Sequence, residues 1–241
     1  MKRLCLAFCT VLFACAGDPS DPAPERAEIG PRDFALQTCG APQAEDICVV
    51  IRAGGKNLLI NAPAGIGQAL GGEALARLDA VLLTGLSARE TEGLDEARNR
   101  GWTAGRSGPL DVAGPAGLDL LARGLNGAFQ TADAVAQVEI APAGGFSAAL
   151  LVGREPEGRG GWTAFDTGDL TAVALSAGGF RQAYRISYGG VSLLVRPCGW
   201  EVSGELEADV LLTCPEDVRE GDIVWPLEEA VVFLTAPTDR P

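Results

Sequence analysis

The sequence predicts a single α/β domain in which β-sheets lie inside and helices lie outside. The segments LDAVLLT, EADVLLT and EAVVFLT, which end at Thr84, Thr213 and Thr235, carry the main signal. Each is a near-continuous apolar run, and runs without alternation suit strands that are covered on both faces. With 241 residues, 47% of them hydrophobic, the chain can bury a sizeable core.

The first third of the chain gives alternating strand and helix signals. Short apolar runs at 34–38, 47–51 and 57–60, separated by turn residues, predict antiparallel strands. Residues 66–78 carry apolar side chains at helical spacing. A helix there would lead the chain into a buried strand at 80–84.

Later segments give signals of the same two kinds, except for the glycine-rich stretch 141–161, for which no order of elements is predicted. The expected elements are a polar helix at 90–100, a strand at 110–112, an amphipathic helix at 117–129, and strands at 170–175, 183–188 and 191–195.

The N-terminus predicts export from the cytoplasm. Lys2 and Arg3 precede an apolar run that is too short to cross a bilayer, which is typical of a signal peptide, here residues 1–14. The run ends in LFAC, which resembles a bacterial lipobox and makes Cys15 the expected lipidation site. Ordinary signal cleavage after the pattern ACA at 14–16 is the alternative, and it would release a soluble periplasmic protein.

Residues 15–32 predict a tether, because they are polar and rich in proline and aspartate. They leave residues 33–241 as the folded domain. Several acyl chains on Cys15 would hold that domain on a membrane durably, since each buried methylene contributes roughly 0.8 kcal/mol. With Ala16 after the cysteine, we expect the outer membrane, with the domain facing the periplasm or the surface.

The charge of the chain argues against nucleic acid as a partner. The formal net charge is −13, and a chain without residues 1–14 would lose two cations and carry −15. Nucleic-acid binding requires cationic side chains against the phosphates. We therefore expect the partner to be a protein or a small molecule whose identity the sequence does not give.

When Cys5 and Cys9 of the predicted signal peptide and the candidate lipidation site Cys15 are set aside, four of the seven cysteines remain, an even number that suits an oxidising compartment. Four cysteines allow three pairings. Proximity in the sequence favours disulfides between Cys39 and Cys48 and between Cys198 and Cys214.

Six stretches, spread over roughly residues 33–237, together resemble the metallo-β-lactamase superfamily, especially its arylsulfatase-like and ribonuclease Z-like branches. They are NLLINAPAGIGQAL, LDAVLLTGLSARETEGL, GPLDVAGPAGLDLL, AYRISYGGVSLLVRPCG, ADVLLTCPED and VVFLTAP. The resemblance implies an αββα sandwich with a metal site at the ends of its strands.

The resemblance also implies that the metal site has lost its ligands. Members of that family carry His-x-His-x-Asp-His after the strand that ends here at Thr84, and this sequence contains no histidine. The positions that match the family's ligands and the aspartate that supports them are Gly85, Ser87, Arg89, Glu90, Ala177, Cys198, Ala236 and Asn61.

A hydrolytic zinc site needs several imidazole or carboxylate donors that converge on the ion. Of the matching positions, only Glu90 and Cys198 could still coordinate, and Arg89 would place a fixed positive charge at the expected ion position. We therefore expect no zinc and no other cofactor. Without the ion, no group brings the pKa of a water molecule near neutrality.

Other features have simpler explanations than a second kind of active site. The acids Glu90, Glu92, Asp95 and Glu96 are expected on a solvated helix start, where the helix dipole favours them. Arg89, Arg181 and Arg196 are expected to pair with nearby acids. A disulfide between Cys198 and Cys214 would join strand ends, whereas a thiolate zinc site there would be short of ligands.

Two hypotheses for function remain. In the first, the chain is a non-catalytic metallo-β-lactamase-fold lipoprotein of the cell envelope that serves as a binding or scaffold domain. In the second, it is a metal-dependent hydrolase of esterase or phosphodiesterase type with an atypical site of Glu90, Cys198 and other carboxylates.

Overall fold

The computed structural model describes residues 28–42, 44–157, 160–176, 180–199, 207–218 and 220–235. The predicted signal peptide, Cys15 and most of the predicted tether lie outside these residues, as do Ala177 and Ala236. Among the described residues, none of the helices combines the length and the apolar character that a membrane crossing requires.

The described residues form thirteen strands and five α-helices. Up to the last helix these are β1 (Phe34–Thr38), β2 (Val49–Ala53), β3 (Lys56–Ile60), α1 (Ile66–Ala76), β4 (Ala80–Leu82), α2 (Ala88–Thr91), α3 (Leu94–Thr103), β5 (Leu110–Ala113), α4 (Leu118–Glu139) and α5 (Gly145–Ala149). The strands after α5 are β6 (Leu151–Arg154), β7 (Trp162–Asp166), β8 (Leu170–Ser176), β9 (Gln182–Tyr188), β10 (Val191–Val195), β11 (Val210–Thr213), β12 (Ile223–Val224) and β13 (Val231–Phe233).

Two mixed sheets contain all these strands. The first sheet has the order β13-β1-β2-β3-β4-β5-β6, and the second has the order β12-β11-β10-β9-β8-β7. The pairs β3–β4, β4–β5 and β5–β6 are parallel, with helices in their connections, whereas β1, β2 and β3 form an antiparallel meander. The predicted α/β class is confirmed.

One hydrophobic core joins the two sheets. It includes Leu58 of the first sheet and Ile186 of the second, both fully buried. Tyr184 on β9 is also fully buried, and its hydroxyl lies 2.9 Å from the carbonyl oxygen of Leu83 and 3.0 Å from that of Ala113. The second sheet thereby contacts the backbone at the ends of β4 and β5.

Strand direction gathers several chain segments at one edge of the sandwich. The carboxyl ends of β3 and β4 meet there because the two strands are parallel, and the amino end of β2 lies beside the carboxyl end of β3. In the second sheet the carboxyl ends of β10 and β11 lie beside the amino end of β9. The residues just outside these strand ends form the candidate site.

Several predicted elements differ from the structure in their bounds. The predicted helix at 90–100 is two helices that break at Gly93, and the predicted helix at 117–129 continues to Glu139. Of the three apolar runs, only the first forms a strand that is buried throughout, β4. The run that ends at Thr235 forms β13, a half-buried edge strand that pairs with β1 alone among the described strands.

Candidate functional site

Asn61 clamps three segments together at the edge of the first sheet. It follows β3, is 1% exposed and adopts a φ of 57°, a left-handed conformation that asparagine tolerates better than most residues. Its Nδ2 donates to the carbonyl oxygen of Ile47 at 2.9 Å, and its Oδ1 accepts from the backbone N–H of Thr84 at 2.8 Å. The amide thus fixes the end of β4 and the segment before β2.

Changing Asn61 to aspartate, the residue type that the resembled family carries there, is expected to lower the free energy of unfolding by at least about 2 kcal/mol. The new side chain would lack the Nδ2 donor and would place a carboxylate oxygen against the carbonyl oxygen of Ile47. Denaturant unfolding at pH 7 measures the effect. Gln130→Glu, the same change of chemistry at an exposed position of α4, serves as the control and should stay within about 0.5 kcal/mol.

Glu90 occupies the space beside Gly85. The Glu90 side chain is fully buried, and one of its carboxylate oxygens accepts a hydrogen bond from the backbone N–H of Ser87 at 2.9 Å. A Cβ added to Gly85 would lie 2.9 Å from the Glu90 carboxyl carbon, closer than real Cβ contacts come. The expected solvated position of Glu90 is therefore wrong, because the carboxylate turns inward to cap the start of α2.

Arg181 faces Glu90 across the junction of the two sheets. Its Nη2 lies 3.3 Å from a carboxylate oxygen of Glu90 and 3.7 Å from one of Asp46, and its Nη1 donates to the carbonyl oxygen of Cys198 at 2.7 Å. Both carboxylate side chains are fully buried, whereas the Arg181 side chain is 34% exposed. We call Asp46, Glu90 and Arg181 the acid–arginine cluster.

Asp46 is the least satisfied member of the cluster. Its Oδ1 accepts from the backbone N–H groups of Ile47 at 2.7 Å and Cys198 at 3.3 Å, but its buried Oδ2 has no hydrogen-bond donor. Burial raises the pKa of the Asp46 carboxyl, and the two N–H groups and Arg181 oppose that rise. The cluster therefore holds two buried acids against one cation.

Both expected disulfides are present. Cys39 pairs with Cys48 beside β2, and Cys198 pairs with Cys214 across the ends of β10 and β11, with a Cα–Cα distance of 5.2 Å. The second bond lies next to the acid–arginine cluster. Sulfur atoms of Cys198 and Cys214 and a carboxylate oxygen of Asp46 lie within 4.8 Å of one another.

The remaining predicted positions do not converge on one point. Arg89 is exposed on α2 and, with Glu45 and Glu92, borders a cleft of about 440 Å³. Arg196 donates to the hydroxyl of Thr213 at 2.8 Å. The cation beside the buried acids is thus Arg181, not Arg89.

Sequence reasoning did not identify Asp46 as a site residue. It lies in the turn-rich segment before β2, and no motif or spacing marks it. The only available signal is the strand order of the resembled fold, which brings the amino end of β2 to the edge where β3 and β4 end.

The two-sheet arrangement is similar to that of several solved structures. The chain is similar to the short form of human tRNase Z, with a TM-score of 0.53, 16% sequence identity, and coverage of 74% of this chain and 76% of that one. It also matches the metallo-β-lactamase fold protein YhfI from Bacillus subtilis (TM-score 0.49, 14% identity, 75% and 70% coverage) and zinc-bound PqqB from Methylobacterium extorquens (0.48, 16%, 75% and 72%). No protein-family model and no curated protein matches the sequence.

Proposed function

Since this chain has the metallo-β-lactamase fold, we propose that it is a non-catalytic representative of that fold, held at the cell envelope by a lipid on Cys15 and serving as a binding or scaffold domain. The proposal rests on one observation. The guanidinium of Arg181 lies between the buried carboxylates of Asp46 and Glu90, at the strand ends where the resembled family binds its metal.

The donor set of the resembled family's zinc site does not fit the residues present. Gly85 offers no donor atom, and the space at its Cα is filled by the Glu90 carboxylate. The Glu90 oxygens are engaged by Ser87 and Arg181. Cys198 is bonded to Cys214, and a disulfide sulfur is not the thiolate that zinc requires. We derive no catalytic step through a metal at these positions.

An internal cation can replace the electrostatic role of a metal without its chemistry. Two buried carboxylates need a compensating positive charge, and a guanidinium supplies it with fixed, planar donors. It supplies neither a Lewis acid nor a bound hydroxide. On this proposal Arg181 offsets one of the two buried negative charges at the strand ends, and the site carries out no hydrolysis.

Three features of the N-terminal sequence support the proposed envelope location. They are the cationic and apolar residues 1–14, Cys15 directly after them, and the proline-rich stretch that follows Cys15. The two disulfides agree with it, because disulfides persist in oxidising compartments. The proposed partner is a protein or a small molecule.

Metal analysis and activity assays on the purified, oxidised protein test the proposed lack of catalysis. We expect less than about one tenth of an equivalent of zinc, iron or manganese per chain, and no metal-dependent cleavage of ester or phosphodiester substrates when these ions are added. Tightly bound stoichiometric metal, together with activity that a chelator abolishes, would support the hydrolase hypothesis instead. Labelling with a radioactive fatty acid, compared between the protein and Cys15→Ser, tests the anchor.

A further inference from the structure

The corner beside the acid–arginine cluster brings together three side chains that can bind a soft metal ion. They are Cys198 after β10, Cys214 after β11 and Asp46 before β2, and their ligand atoms lie within 4.8 Å of one another. From the sequence, the two sulfurs alone are too few ligands for zinc. The fold adds Asp46, which is not at any of the positions that match the family's ligands.

Asp46 gives an independent sign that this corner can accept a positively charged ligand. The residue is 2% exposed, and its Oδ2 is buried without a hydrogen-bond donor, although buried carboxylate oxygens are normally satisfied. The Arg181 guanidinium is 3.7 Å away, beyond hydrogen-bond reach. An oxygen in this condition is a ready metal ligand.

We propose that reduction of the Cys198–Cys214 disulfide converts this corner into a Zn²⁺ site, with the two cysteine thiolates and the Asp46 carboxylate as ligands. A dithiol reductant supplies two electrons and two protons and becomes a disulfide, which leaves two cysteine thiols. Zinc then binds both sulfurs and releases the two thiol protons to solvent. Water completes the coordination.

The exposure of the two cysteines and the distance between them allow the reduction and the binding of zinc. Cys198 is half-buried and Cys214 is 4% exposed, so the reductant attacks the sulfur of Cys198 and Cys214 leaves. Zinc–sulfur bonds of about 2.3 Å in a tetrahedral site require the two sulfurs to lie about 3.8 Å apart. Once the covalent bond is broken, rotation of the two side chains suffices for this, because the backbone positions are already only 5.2 Å apart.

The formal charge of the buried corner is also compatible with replacing the disulfide by two thiolates and a zinc ion. With the disulfide intact, Asp46, Glu90 and Arg181 sum to a formal charge of −1 when both acids are ionised. Two thiolates add −2 and one zinc ion adds +2, so the zinc form has the same formal charge as the disulfide form. Two thiolates without an ion would leave −3 in a largely buried site, which strongly disfavours that state. The metal-free reduced site therefore keeps two neutral thiols, and zinc binding replaces their two protons with one dication without changing the formal charge.

The test compares metal binding by the oxidised and reduced protein under anaerobic conditions, with a phosphine as the reductant and Co²⁺ as a spectroscopic probe. We expect the reduced protein to show thiolate-to-cobalt charge-transfer absorption that saturates at one equivalent and is displaced by Zn²⁺. The oxidised protein should show none. Cys198→Ser/Cys214→Ser should lose the signal while keeping every other cysteine, including those of the N-terminal region.

Asp46→Asn tests the third ligand, with Glu45→Gln as the control because Glu45 is the acid next to it in the sequence and is more exposed. We expect Asp46→Asn to weaken zinc affinity by at least about tenfold and Glu45→Gln to leave it unchanged. Circular dichroism of the oxidised variants establishes that they are folded. The proposal is overturned if the reduced protein binds no more metal than the oxidised one, if the double serine variant binds equally well, or if Asp46→Asn binds as tightly as the unmodified chain.

Discussion

Replacing Arg181 with methionine is expected to lower the free energy of unfolding by about 2–4 kcal/mol at pH 7. The change removes the cation that lies 3.3 Å from Glu90 and 3.7 Å from Asp46, and both carboxylates would remain buried without it. The expected cost is below that of a fully buried pair, because water reaches part of the Arg181 side chain. Chemical denaturation of the oxidised protein measures it.

The loss of stability caused by Arg181→Met should be smaller at acidic pH than at neutral pH. Burial raises the pKa of Asp46 in the folded protein, so Asp46 binds its proton more tightly there than in the unfolded chain. This group's contribution to stability therefore falls as pH rises from its ordinary value near 3.8 through its raised folded value. Loss of Arg181 raises that folded pKa further, because the guanidinium opposes the rise. The destabilisation should be largest at neutral pH and shrink in acid.

Arg185→Met is the matched control for Arg181→Met. Arg185 lies on β9, four residues from Arg181, and its side chain is exposed. Its replacement should change the unfolding free energy by less than about 0.5 kcal/mol at any pH between about 4 and 8. If Arg181→Met changes the unfolding free energy as little as Arg185→Met does, the acid–arginine cluster does not stabilise the strand ends. The position of Arg181 beside Asp46 and Glu90 would then no longer support the proposed function.

The sequence predicts the layered core well because buried strands carry a local signal. The apolar runs around β1, β3, β4, β8 and β10 are visible as short runs between turn residues, and the structure places strands there with bounds that differ by at most two residues. β6, β7 and β12 were not predicted, and β6 lies within the glycine-rich stretch 141–161. β12 has only two residues, and β7 is partly exposed and comes after a glycine-rich stretch, so neither leaves a clear pattern.

The cluster could be predicted only in part. Glu90 was found through the resemblance, but its burial depends on the glycine at position 85 and on the cation that approaches from the second sheet. Asp46 lies 44 residues from Glu90 and more than 130 residues from Arg181 in the sequence. Contacts over such distances are set by sheet order, and a single sequence carries no direct signal of them.

The break at Gly93 shows how tertiary contact overrides helical propensity. A Cβ at Gly93 would lie 2.1 Å from the carbonyl oxygen of Pro63, and the Gly93 N–H donates to the carbonyl oxygen of Ala62 at 2.8 Å. The chain after β3 therefore passes directly over this residue, which interrupts the predicted helix at 90–100. For α4 the predicted helix was too short, because the observed helix continues for ten residues beyond Phe129.

That extension of α4 is anchored by a buried ion pair whose loss should have the largest effect on stability of all the substitutions proposed for this protein. Asp133 accepts from both terminal nitrogens of Arg98 on α3, at 2.9 Å and 2.5 Å, and the Arg98 side chain is fully buried. Asp133→Asn is expected to lower the unfolding free energy by about 3–5 kcal/mol, because it leaves the guanidinium uncompensated. For a domain of this size that corresponds to a fall of roughly 10 °C in Tm.

Arg106 is a second buried cation beside Arg98, and it adds to the loss of stability expected for Asp133→Asn. The guanidinium of Arg106 donates to the backbone carbonyl of Arg98 at 2.9 Å, and burial together with the charge of Arg98 lowers the pKa of Arg106 to about 10. Without Asp133, two like charges would share the interior between α3 and α4. Calorimetry of Asp133→Asn beside Glu73→Gln, which breaks an exposed i,i+4 pair with Arg77, separates a buried from a surface pair. The surface change should cost less than about 0.5 kcal/mol, and equal effects from the two would mean that Asp133 does not hold α4 to α3.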